Sequence, residues 1–109
     1  MSVINEQLLK EMLQAAQKVL GKHWKETKPF VEEQFRLFSY NIQMIAEMKN
    51  KGQINEDQAR LQMRIQKNSI QMVMLSIEGL EILAVETAIN AALDVAKKAV
   101  NTAIGWTLL

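Results

Sequence analysis

Ser76-Ile77-Glu78-Gly79-Leu80-Glu81 is the stretch on which the architecture turns. Beyond Asn55 there is no proline, and the only glycines are Gly79 and Gly105. Two architectures follow. In one, a single helix runs from Glu56 to about Thr102, roughly 70 Å at the usual helical rise. In the other, Gly79 breaks it and the chain closes into a compact four-helix bundle. The stretch holds no second turn-former, helix–helix connections usually take about 2–8 residues, and a lone mid-helix glycine costs only ~1 kcal/mol. The continuous helix is therefore the expected form, with the four-helix bundle as its alternative.

A helical wheel laid through this stretch shows a change of face. Before Gly79 the polar line is Glu56, Arg60, Arg64, Lys67, Gln71 and Glu78, with Ile65, Met72, Val73 and Leu80 opposite it and expected to be buried. Carried forward in phase, the polar line becomes Val85, Ala88, Ala92, Ala96, Ala99 and Ala103. The new polar side is Thr87, Asn90, Asp94, Lys97, Lys98 and Asn101. One straight helix would then need a different cover for each half. A second copy of the chain is the economical cover for the later half, where small alanines permit close helix approach. That assigns self-association to Ala88, Ala92, Ala96, Ala99, Val100 and Ala103. If Gly79 is a break, the change of face is instead relaxed inside one bundle.

Upstream, the pattern predicts a helix from about Val3 to Leu20. Ile4, Leu8, Leu9, Met12, Leu13, Ala16, Val19 and Leu20 occupy one half of the wheel, and Gly21 follows as a stop. His23 and Trp24 lie in a lysine-rich connector. A second helix is expected over 29–51, with Pro29 in its first turn and Lys49-Asn50-Lys51-Gly52 at its end. Its apolar arc is wide, with Phe30, Val31, Phe35, Leu37, Phe38, Ile42, Met44, Ile45 and Met48, so it needs cover on more than one side. Asn55-Glu56-Asp57-Gln58 has the form of a capping box and opens the third helix, expected over 55–102. The short turn before it makes the second and third helices antiparallel neighbours.

Composition narrows the chemistry. The chain has 109 residues, the size of one domain spanning 1–109, with 49% hydrophobic residues, no cysteine and a net charge of +1. Without cysteine there are no disulfides, thiolate metal sites or thiol nucleophiles. The four glycines are too dispersed for a phosphate-cradling loop. Near-neutral charge argues against nucleic acid as a partner. Charged residues from Glu6 onward interrupt any signal core, and the uncharged run Ala99–Leu109 is about half of the ~20 residues that span a bilayer. A cytoplasmic location is expected, although leaderless export would leave the same sequence.

Few residues suggest catalysis. His23 is the only histidine, so no histidine pair is available to bind zinc. Glu78, Glu81 and Glu86, with Glu47, offer carboxylates for a bridged metal centre, but the Glu-x-x-His partner of such bundle sites is missing. The seven methionines follow helix faces, as gap-filling core residues do. An i,i+4 pair between Glu56 and Arg60 accounts for part of the Arg60, Arg64, Lys67 line. No catalytic residue, cofactor or metal is assigned.

The sequence is therefore expected to encode an all-α antiparallel bundle or hairpin, completed by dimerisation. The expected role is a non-enzymatic protein–protein interaction module: a dimeric scaffold, adaptor or small chaperone with a further protein as partner. The rival is a peripheral lipid- or membrane-surface protein, with amphipathic helices and with Trp24 and Trp106 at the headgroup boundary. A carboxylate-bridged metal enzyme ranks third.

Overall fold

The structure is a computed structural model that describes residues 3–77 and 79–109. It is all-helical. Helix α1 spans Glu6–Leu20, a 3-10 turn Gly21–His23 leads into α2 at Trp24–Asn50, and α3 (Glu56–Leu75) and α4 (Ile82–Ile104) follow.

Local chemistry sets most boundaries. The Asn5 side chain accepts from the Leu8 N–H at 2.8 Å and caps α1. The capping box before α3 forms in both directions: Gln58 N–H donates to Asn55 at 2.8 Å, and Asn55 N–H donates to Gln58 at 3.0 Å. Helix α2 starts earlier than the expected Pro29, because the connector winds into the 3-10 turn and then continues as helix. Pro29 removes one backbone donor near the start of α2, and the carbonyl it would have met belongs to exposed Lys25, open to water.

The expected continuous helix over 56–102 is not formed. Helix α3 stops at Leu75 and α4 starts at Ile82. Gly79 sits at φ +88°, a left-handed conformation that glycine adopts without the Cβ penalty. The Ser76 hydroxyl donates to the Val73 carbonyl at 2.6 Å, and the Ser76 N–H turns back to the Met72 and Val73 carbonyls. Together these close the last turn of α3, and the chain reverses. The change of face thus becomes a hairpin between two helices, each with its own buried stripe.

Consecutive helices run antiparallel. At one end of the bundle, Val3 N–H donates to Gln43 at 3.2 Å and Ser39 donates to the Ile4 carbonyl at 3.2 Å, fixing α1 along α2. Gln71 of α3 donates to Glu86 of α4 at 3.2 Å near the other end. Helix α4 returns along α1, and this is the most extensive helix–helix seam in the molecule. The core is built on Phe35 and Phe38 of α2, with Met12, Ile42, Ile45, Ile70, Met74 and Ile89 fully enclosed. Burying a side chain of this size stabilises by about 1.5–3 kcal/mol. Thr27, the one buried polar residue among those described, donates to the His23 carbonyl at 2.8 Å and so carries no unmet hydrogen bond.

Gly105, at φ +84°, ends α4 and turns the chain across the end of the bundle. The Asn101 side chain accepts from the N–H groups of Leu108 and Leu109 at 2.8 and 3.0 Å. Lys49 of α2 donates to the Ile104 carbonyl and lies 4.7 Å from the centre of the Trp106 ring. Leu108 is thereby buried.

Candidate interaction surfaces

The alanine ridge falls in the seam between α1 and α4. Ala88, Ala92, Ala96 and Val100 are fully buried within the single chain, while Ala99 and Ala103 are exposed. Ala88, Ala92, Ala96 and Val100, expected to face a second copy, are instead covered by the chain's own helices. The reason is the Gly79 turn, which returns α4 beside α1, whose Leu9, Met12, Ala16 and Leu20 make the facing stripe. The alanines of α4, with Ala16 of α1, permit the close approach.

The buried stripe of α3 also differs from expectation. Ala59, Met63, Ile70 and Met74 point inward, whereas Ile65 is 52% and Met72 is 72% exposed. The Arg60, Arg64, Lys67 line lies over the junction with α4 rather than directly opposite the core, which rotates the inward face away from Ile65 and Met72.

That rotation leaves α3 with an outer face of Leu61, Ile65 and Met72 interleaved with Gln58, Gln62, Asn68, Ser69 and Ser76, and no charged side chain. Beside it, α2 exposes Phe30, Leu37 and Met44 at heptad spacing, with Tyr40 alongside. These are the residues that widened the apolar arc of α2 in the sequence. Bundle closure covers Val31, Phe35, Phe38, Ile42 and Ile45 and leaves the rest in water. At the hairpin end, Met48, Ile54, Leu61 and Ile65 line one shallow groove, so the two helices share this side of the molecule.

A second concave feature lies between α3 and α4. Arg60, Arg64 and Lys67 enter from α3, and Asn90, Asp94 and Lys97 enter from α4, above Met63, Leu93 and Leu108. Its volume is about 350 Å³. Arg60 is committed elsewhere, to Glu56, to Asp57 at 3.0 Å and to the Thr107 carbonyl at 3.1 Å.

The remaining candidates are dispersed. His23 is half-buried against Gly79 rather than free in a linker. Glu81, Glu86 and Glu47 are exposed, and Glu86 accepts from Gln71. Glu78 lies outside the described residues. Among the described residues no three His, Asp or Glu side chains are grouped as metal ligands. Trp24 and Trp106 are half-buried and pack on the core. No described helix is long and apolar enough to cross a membrane. Arg36 holds the Glu6 carboxyl below its usual range, first by its hydrogen bond at 2.8 Å and then by its charge. No protein family, curated protein or solved structure matches this chain.

Proposed function

We propose that the chain is a non-enzymatic helical interaction module that pairs with a second copy of itself through the outer face of α2 and α3. The carrying observation is the charge-free outer face of α3, in a chain of which 23% is charged. In a two-fold interface a residue near the axis meets its own copy. A charged side chain there is opposed by itself, whereas leucine, isoleucine and methionine pack on themselves. Glutamine, asparagine and serine both donate and accept, so each complements its own copy. The exposed Phe30, Leu37 and Met44 extend the apolar surface beyond α3, and exposed apolar surface grouped on one side of a fold favours an interaction site there. A dimer built this way is a scaffold whose other surfaces remain free for a further protein.

Light scattering behind size exclusion, over a roughly hundredfold concentration range, tests the proposal because association follows mass action. The expected mass is about twice 12.4 kDa. Leu37→Glu together with Ile65→Glu is expected to give a monomer with an unchanged helical spectrum, since both sites are exposed. A wild-type monomer throughout, or a double variant that still dimerises, overturns it.

A further inference from the structure

We infer that the groove between α3 and α4 binds an amphiphilic anion, a phosphate or carboxylate head on an alkyl chain. Arg64, Lys67 and Lys97 line it, and none of the three makes a hydrogen bond or ion pair with a described residue. Asp94 is the one carboxylate side chain in the lining and is likewise unpaired. Arg64, Lys67 and Lys97 therefore face Asp94 and the main-chain carboxyl group of Leu109 at one concave spot, in a chain whose net charge is only +1. Arg64 differs in this from the other two arginines, which sit in ion pairs: Arg36 with Glu6 and Glu32, and Arg60, in the same groove, with Glu56 and Asp57. Gathering like charges costs repulsion, which a bound anion removes while gaining charge-assisted hydrogen bonds.

The apolar part of the ligand follows from the floor. Met63, Leu93 and Leu108 lie beneath the cations, and Leu108 is present only because Asn101 and Arg60 pin the segment after Gly105 across the groove. This is a built end wall rather than a loose tail. The volume of about 350 Å³ lies at the small end of ligand sites. A floor of three apolar side chains does nothing for inorganic phosphate but adds affinity for each methylene it covers, by about 0.8 kcal/mol at most. Head and chain are therefore both read.

Calorimetric titration with butyl phosphate and octyl phosphate, inorganic phosphate and 1-octanol tests this on the intact chain. Octyl phosphate is expected to saturate at one per chain, about tenfold or more tighter than inorganic phosphate, with butyl phosphate between them. Octanol is expected not to saturate. Arg64→Gln, Lys67→Gln and Lys97→Gln combined should weaken octyl phosphate about tenfold or more, with the helical spectrum unchanged because all three side chains reach solvent. Binding that the triple variant leaves unchanged, or that is equal for inorganic and octyl phosphate, overturns the assignment. So does no saturable binding. Co-sedimentation with phosphatidylcholine vesicles containing phosphatidic acid separates the sources. Chain left in the supernatant assigns a soluble monomeric ligand, and pelleting that the triple variant abolishes assigns a lipid headgroup. Pelleting that survives in the triple variant removes the groove from the account.

Discussion

His23 packs on Gly79: its ring Cε1 lies 3.6 Å from the point that a β-carbon on Gly79 would occupy. The contact joins the turn after α1 to the turn after α3. An added methyl group would therefore meet His23 at ordinary van der Waals distance, and the whole cost of a side chain there is conformational.

This gives Gly79→Ala a diagnostic sign. Holding alanine at φ +88° is expected to destabilise the fold by about 1–2 kcal/mol. In a continuous helix the same change would stabilise by about 1 kcal/mol. Chemical denaturation of the two proteins distinguishes the cases, and a more stable variant would restore the uninterrupted helix.

The α1–α4 seam predicts that its alanines resist enlargement. Ala92→Leu, at a fully buried position, should cost about 1–3 kcal/mol by overpacking, while Ala99→Leu on the exposed side should fall within about 0.5 kcal/mol of wild type. Ala92→Glu with Ala96→Glu should unfold the chain instead of splitting a dimer. Thermal melts followed by circular dichroism provide the check; a folded monomeric double variant would return the ridge to an intermolecular role.

Asn101 holds the segment after Gly105 with one side chain, so Asn101→Ala should loosen it selectively. Loss of the bonds to Leu108 and Leu109 is expected to cost about 1–3 kcal/mol. Trp106 fluorescence should shift to the red as the ring leaves Lys49. Octyl phosphate affinity should fall with it, since Leu108 forms part of the groove floor.

The Glu6–Arg36 pair predicts a small pH effect of defined sign. The Glu6 carboxyl titrates below its ordinary value of 4.5 in the folded chain, chiefly through the Arg36 hydrogen bond. Its stabilising contribution is therefore complete above that value and is lost as pH falls through the lower folded one. Glu6→Gln should lower stability slightly at neutral pH and converge on wild type in acid, which flattens the acid limb of the stability curve. An equal loss at both ends would show that the residue acts through packing instead.

The features legible in the sequence were those with local causes. The Asn55–Gln58 box, the stop at Gly21 and the inward stripe Leu9, Met12, Ala16 and Leu20 need no knowledge of distant residues. Gly79 was harder, because a propensity of about 1 kcal/mol decides little when tertiary burial on either side outweighs it. The inward face of α3 was misjudged for a related reason. Several of its faces are half apolar, and only the return of α4 selects Met63, Ile70 and Met74 over Ile65 and Met72. The groove was illegible for the same cause: Arg64 and Lys67 meet Lys97 only once that hairpin has closed. The surplus apolar arc of α2, by contrast, could be read directly and is what remains uncovered.

The α1–α4 seam also orders events during synthesis. The two helices that share the most extensive seam, α1 and α4, are separated in sequence by both of the others. Until α4 has emerged, α1 has only α2 to pack on, and the stripe of Leu9, Met12 and Ala16 lacks its main cover. The α2–α3 hairpin, closed by a short turn, is free to form first. The nascent chain is thus a hairpin with a greasy leading arm, and its core is sealed only when α4 has emerged and folded back on α1. Chaperone dependence should therefore concentrate in that interval.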